Sequence, residues 1–221
     1  MLTISISSYN QAGYLPDAIE SALTQTTPCQ VIVVDDGSTD NSLKIAQSYE
    51  PQIKVVSQVN KGLPSARNTG IMWATGDFVL PLDADDILLP DCVEKILEVI
   101  KQNPNADIIA PSFKCFGKGE DTIILKENII LKDFETGNYL PYFCAIKREK
   151  LLEIGGYSPK MIWGWEDLHL WINLLSRGAI VKTIPKVLVL YRTKEKSMWT
   201  DSKDHAEELQ AQINKDFPTI F

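Results

Sequence analysis

From its second residue the chain alternates short runs of aliphatic and β-branched residues with longer stretches whose apolar positions recur every three to four residues. The short runs have the period and length of buried strands, and the longer stretches those of amphipathic helices. Strands are predicted over Thr3 to Ser7, Val31 to Val34, Ile53 to Ser57, Phe78 to Leu82 and Ile108 to Ala110. Helices are predicted between them, over Tyr14 to Gln25, Asn41 to Tyr49, Pro64 to Ala74 and Pro90 to Lys101, the third with proline in its first turn. Strand and helix in strict alternation imply βαβ units, and so an α/β fold with a mainly parallel sheet.

The rhythm breaks between Pro111 and Tyr142. Phe113 to Phe116, Thr122 to Leu125 and Ile129 to Leu131 read as short strands, expected as antiparallel additions to the sheet. Beyond them a helix over Lys147 to Ile154 stops at Gly155-Gly156, and another over Glu166 to Arg177 stops at Gly178, both suited to a helix C-terminus. Strands follow at Val181 to Ile184 and Val187 to Tyr191, and a polar tail carries an amphipathic helix over Asp204 to Ile213. There is no repeat or linker, so residues 1–221 are read as one domain.

Composition narrows the partners. Of 221 residues, 44% are hydrophobic and 23% charged, which provides for a core and argues against disorder. The formal net charge of −7 and the absence of a basic block exclude nucleic acid as the main partner. No apolar run approaches the roughly 18 residues of a transmembrane helix, and the first residues lack the basic start of a signal peptide. The expectation is a cytoplasmic protein, with peripheral docking on a membrane left open. Four scattered cysteines and two histidines suggest neither a disulfide framework nor a zinc site, so any metal should be a hard cation held by oxygen.

The early strands share one feature: each ends in polar residues. These are Ser7-Ser8-Tyr9-Asn10, Asp35-Asp36-Gly37-Ser38, Asn60-Lys61-Gly62 and Asp83-Ala84-Asp85-Asp86. In a parallel sheet all four clusters fall on one edge, where ligands bind. Asp83 and Asp85, two apart in extended backbone, can present carboxylates on one side and hold Mg²⁺ or Mn²⁺ together with a phosphate. The plainer alternative is a polar turn that caps a helix. Asp35 to Asn41 likewise suits a turn and N-cap, while a carboxylate at the strand tip can also accept from a nucleobase N–H. Tyr9 is placed to stack on a base or simply to pack, and Lys61 and Arg67 to face phosphate or solvent. Further on, Trp163-Gly164-Trp165-Glu166-Asp167 opens a helix. One acidic residue there is explained by the helix dipole, but the tryptophans suggest a sugar-binding surface beside a carboxylate base.

Together, Ser8-Tyr9-Asn10, Val33 through Asp40, Asn60-Lys61-Gly62 through Asn68, Leu82 through Asp86 and Gly164-Trp165-Glu166-Asp167 resemble the family 2 glycosyltransferases of the GT-A fold, in order and spacing, from about Thr3 to Tyr191. The resemblance implies an open Rossmann-like sheet flanked by helices and an inverting transfer from a nucleotide-diphosphate sugar, with uracil the expected base. It implies that Ser7, Tyr9 and Asp36 contact the base, that Lys61 and Arg67 lie near the nucleotide, and that Asp83 touches ribose or metal. Asp85 becomes the principal ligand of Mn²⁺ or Mg²⁺, Asp167 the catalytic base, and Glu166 an orienting group. Asp86, Trp163 and Trp165 are the candidates for the donor sugar or the acceptor, which is a glycan, a lipid-linked sugar or a protein. Residues 1–110 are expected to form a nucleotide-binding half and 111–193 an acceptor-binding half, and by its position the tail over 194–221 is a candidate lid.

One departure stands out. Many relatives carry a metal-binding histidine shortly after a Tyr-Arg pair, but Lys194 occupies that place after Tyr191-Arg192. Lys194 and Arg192 are therefore expected on the diphosphate, with His205 a weaker substitute ligand. Two rival readings are a nucleotidyltransferase, disfavoured because Ser8 to Gly13 is no glycine-rich phosphate loop, and a non-catalytic nucleotide-sugar binder.

Overall fold

The computed structural model of the chain describes residues 1–195, 202–218 and 220. The described elements run β1 (Leu2–Ser8), α1 (Leu15–Leu23), β2 (Gln30–Asp35), α2 (Ser42–Ser48), β3 (Lys54–Ser57), α3 (Leu63–Trp73), β4 (Phe78–Asp83), β5 (Ile87–Leu88) and α4 (Cys92–Gln102). Then follow β6 (Ile108–Gly117), β7 (Thr122–Ile123), a 3-10 turn (Leu131–Glu135), β8 (Ala145–Lys147), α5 (Arg148–Glu153), α6 (Glu166–Ser176), β9 (Val181–Thr193), a second 3-10 turn (Ser202–His205) and α7 (Ala206–Asp216).

The strands form one mixed sheet in the order β3-β2-β1-β4-β8-β6-β9-β5, with β7 paired to β6. β3, β2, β1 and β4 are mutually parallel, while β8 is antiparallel to both β4 and β6. β1, β2 and β4 are buried on both faces; β2 and β4 read as near-continuous apolar runs, β1 alternates Leu2, Ile4 and Ile6 with Thr3, Ser5 and Ser7, and the edge strand β3 is only half-buried. Along β2, Val31 and Val33 join α1, α2 and α4 in one core, whereas Ile32 and Val34 join α3, α5, α6 and α7 in the other. Gly70 lets α3 lie close on β1, since a Cβ there would stand 1.9 Å from Ser5 Oγ.

The α/β expectation and the early elements agree with this architecture. The differences concentrate after β4. β5 and β8, of two and three residues, are too short to carry a periodic signal. Ile129 to Leu131, expected as a strand, leads into a 3-10 turn in which Asp133 accepts from the Ile130 N–H at 2.9 Å. The two strands expected on either side of Pro185 are one strand, β9, whose pairing with β6 shifts register at that point.

The tail is anchored where it is described. Leu209 and Ile213 of α7 are buried in the second core, and Asp216 meets His169 at 3.1 Å and Lys160 at 3.3 Å. Of the tail expected over 194–221 as a lid, α7 is packed against the body. Residues 196–201, 219 and 221 of that expectation lie outside the described residues. No helix among the described residues is long and apolar enough to cross a membrane. The four cysteines are unpaired, Cys92 and Cys144 fully buried.

Candidate active site

Sheet register brings the polar strand ends together. Ser7 lies opposite both Val34 and Asp83, Ser8 opposite Asp35, and Asp35 opposite Ser57. The hydroxyls of Ser7 and Ser8 are buried with no hydrogen-bond partner, while Tyr9, next along, is 46% exposed. Buried polar atoms are normally satisfied, so unmatched hydroxyls at a strand tip mark a place where a ligand can complete them.

Asp36 does not open onto this edge as a free acceptor. Its carboxylate takes the Lys61 N–H at 3.0 Å, the Gly62 N–H at 2.8 Å and the Gln58 amide at 2.7 Å. Asp36 therefore holds the loop that starts α3, with Gly62 at φ 85°, a backbone setting that favours glycine. Lys61 contributes its backbone to that clamp and leaves its side chain exposed.

The turn after β4 is built the same way. Asp86, expected near a sugar, is 1% exposed. It accepts from Tyr142 Oη at 2.5 Å and from the Arg192 N–H at 2.6 Å. Burial first, then the neighbouring Asp85 and Asp83, hold its carboxyl well above the usual range. Arg192 is committed here as well: its Nε donates to the Asp85 carbonyl at 2.8 Å, and its guanidinium lies between the rings of Tyr14 and Phe116. Asp86 and Arg192 thus shape the turn instead of lining the crevice. What the turn presents is Asp85, whose carboxylate meets the Lys194 ammonium at 2.6 Å.

Arg67, expected to face phosphate or solvent, is 2% exposed. Its guanidinium spans the two halves, giving one hydrogen bond to Asp83 at 2.9 Å and one to Glu166 at 2.6 Å. The rings of Tyr142 and Tyr157 cover it at 4.6 and 5.3 Å. Loss of water around Asp83 pushes its carboxyl up to about 6 against the pull of Arg67.

Asp167 follows Glu166 at the start of α6. Gly164 and Trp165 both have positive φ, 121° and 57°, which is uncommon for a tryptophan and turns the chain sharply into the helix. Glu166 points inward to Arg67, whereas Asp167 accepts from the Asn138 amide at 2.9 Å and the Leu168 N–H at 2.7 Å. Burial raises both carboxyls above their ordinary values, with Arg67 opposing the rise. Trp165 is half-buried against the second core. Trp163 stacks on His205 at 4.2 Å, and His205 also faces Glu208, so this histidine is engaged away from Asp85.

The fold therefore unites Ser7, Asp83, Asp85, Arg67, Glu166, Asp167 and Lys194, and gives Asp36, Asp86 and Arg192 supporting roles. Sequence reasoning missed Tyr142, which braces Asp83 and Asp86 at once, and Asn138, which holds Asp167. A signal for Arg67 was present, because its spacing from Gly70 and Ile71 puts all three on one helical face, the buried one. No group of three or more His, Cys, Asp or Glu side chains arranged for a metal occurs among the described residues.

Residues 3–169 match the glycosyl transferase family 2. An uncharacterized glycosyltransferase of Haemophilus influenzae is 32% identical over 91% of this chain and 72% of its own length. A second, from Nostoc, is 42% identical over 86% of this chain and 64% of its own. The chondroitin synthase of Escherichia coli is 40% identical over 47% of this chain, but that match spans only 16% of the synthase. Among solved structures, Staphylococcus aureus TarS residues 1–349, in complex with UDP-GlcNAc, superimposes with a TM-score of 0.78 at 21% identity, covering 90% of this chain and 60% of that fragment. The same TarS fragment is also known with UDP. The match to the family over residues 3–169 and to the Haemophilus relative sets the nucleotidyltransferase alternative aside, and the chain belongs to glycosyl transferase family 2, a glycosyltransferase of the GT-A fold.

Proposed function

We propose that the chain transfers a sugar from a UDP-sugar to an acceptor hydroxyl in one inverting displacement, with Asp167 as the base. One observation carries the reading: Arg67 bonds directly to Asp83 at the donor edge and to Glu166 beside Asp167, so the two ends of a displacement would share one rigid node. The unmatched Ser7 hydroxyl and the exposed Tyr9 ring, on the same edge, suit a nucleoside. The likeness to TarS, solved with UDP and UDP-GlcNAc, supports uracil as the base. On this reading residues 1–110 hold the nucleotide and 111–193 receive the acceptor.

In the reaction Asp167 takes the proton of the acceptor hydroxyl. The freed oxygen attacks the anomeric carbon, the bond to the diphosphate breaks, and its electron pair leaves on the UDP. Asn138 and the Leu168 N–H fix the direction in which the base accepts that proton. The Lys194 ammonium, already at the crevice against Asp85, offers charge to the departing diphosphate.

A divalent cation also fits. Asp85 is a hard oxygen donor, and such ions commonly use one or two carboxylates with the rest of the shell from phosphate and water, so a larger protein cluster is not required. Asp85 would hold it, with Asp83 beside it already tied to Arg67. When bound, Mn²⁺ or Mg²⁺ would neutralise charge on the diphosphate oxygens.

The test is UDP release from a panel of UDP-sugars with mixed glycoside acceptors, using the wild type and Asp167→Asn. The reading expects acceptor-dependent release from one donor, lost in the variant while UDP still binds. Binding of UDP-sugars with no release from any acceptor would favour a non-catalytic binder.

A further inference from the structure

Asp167 lines a cavity of about 540 Å³, within the range of roughly 300–1,000 Å³ common for small-molecule sites. None of its lining comes from the first 110 residues. The wall is built from β6, β7, β9, the start of α6 and the segment between β7 and β8, and at Tyr142 it adjoins Asp83 and Asp86.

Its chemistry is uneven. Most of the wall is aliphatic or aromatic, with Ile123, Ile124, Leu125, Phe113 and Phe143 among the contributors. The polar side chains in it are mostly engaged elsewhere: Tyr142 Oη donates to Asp86, Lys126 is paired with Asp133, and Tyr139 Oη meets Thr136. Asp167 and Asn138, bonded to each other, form one polar spot, and Tyr191 also lines the cavity. A bare oligosaccharide carries hydroxyls all round and needs partners on every side, because burying a hydroxyl without one is unfavourable. This wall supplies few. Ile124 is 54% exposed and Ile123 39%, adjacent in the chain and both on the cavity, a contiguous apolar surface of the kind that marks a ligand or partner site.

We propose that the acceptor is an amphipathic glycoside: its sugar presents a hydroxyl to Asp167, and its apolar aglycone, a lipid chain or an aromatic ring, lies against Ile123, Ile124 and Tyr139. This rests on Asp167 being the base and adds the acceptor's class. It accounts for both the polar spot and the apolar wall in one ligand.

The experiment is calorimetric titration of the wild type and Ile124→Ser with methyl, octyl and phenyl β-glucosides, the octyl compound kept below its micelle concentration. Each methylene buried is worth about fourfold in binding, so octyl glucoside is expected to bind the wild type at least about tenfold more tightly than methyl glucoside, with most of that preference lost in Ile124→Ser. Octyl above phenyl points to a lipid-linked acceptor, and phenyl at or above octyl to an aryl one. Equal binding of all three, or a preference untouched by Ile124→Ser, overturns the proposal. UDP titrated into the same wild-type preparation separates the two readings. Bound UDP without aglycone preference rejects only the acceptor class, whereas aglycone preference without UDP binding keeps the cavity and rejects the transferase reading.

Discussion

The two sides of the crevice are held together by different physics. On the nucleotide side the strand tips are cross-linked by polar groups: Asp36 clamps the start of α3, Asp86 is gripped by Tyr142 and Arg192, and Arg67 is buried between two carboxylates. On the other side, the segment between β7 and β8 has one short 3-10 turn and surrounds a cavity with an apolar wall. A network of buried charges tolerates little displacement, because any unpaired member bears its full desolvation penalty. An apolar wall accepts many shapes of similar volume. The contrast suits an enzyme whose donor is a fixed chemical entity and whose acceptor varies.

That comparison can be broken at several points. The largest effect is expected from Asp167→Asn, which removes the proposed base and should lower UDP release by about 10²–10⁴-fold, the usual worth of general-base catalysis, while UDP affinity stays unchanged. Arg67→Met leaves Glu166, buried, and Asp83, half-buried, without their cation. It should destabilise the fold by about 3–5 kcal/mol, read as a lower midpoint in urea. Gly70→Ala forces a methyl group against Ser5 between α3 and β1, and about 1–3 kcal/mol of destabilisation is expected in the same assay. Ile124→Ser on the opposite side should shift stability by no more than about 0.5 kcal/mol, since the side chain is mostly exposed. Equal sensitivity of both sides would refute the comparison.

A subtler effect sharpens it. Asn138 donates a hydrogen bond to Asp167, which favours the charged carboxylate and lowers its pKa against the rise due to burial. Asn138→Ala removes that support, so Asp167 should protonate at higher pH. The acidic limb of the kcat/KM profile should then move upward. An unmoved limb would mean that Asp167 does not set it.

How far the sequence could be read follows the same divide. On the nucleotide side, strands such as β1 and β2 are short runs rich in Ile and Val that end in Ser, Asp and Gly, and their positions along the chain could be anticipated. The convergence of the four polar clusters followed from parallel topology alone. What could not be read was which carboxylates the protein itself engages. Asp36 and Asp86 look like ligand groups in the chain, but their burial depends on Gln58, Tyr142 and Arg192, the last two lying 56 and 106 residues beyond Asp86. Arg67 was misjudged because an arginine is ordinarily exposed, although its helical face was already marked by Gly70 and Ile71. On the other side, β5, β7 and β8 are two or three residues long and have no period to detect. Asn138 and Tyr142 sit in irregular chain, where only tertiary contact reveals a role.

The most direct test of the donor reading is calorimetric titration of UDP, with and without Mn²⁺, into the wild type and Asp85→Ala. The account predicts UDP binding that Mn²⁺ strengthens in the wild type and does not strengthen in the variant. Absence of UDP binding to the wild type under either condition would contradict it.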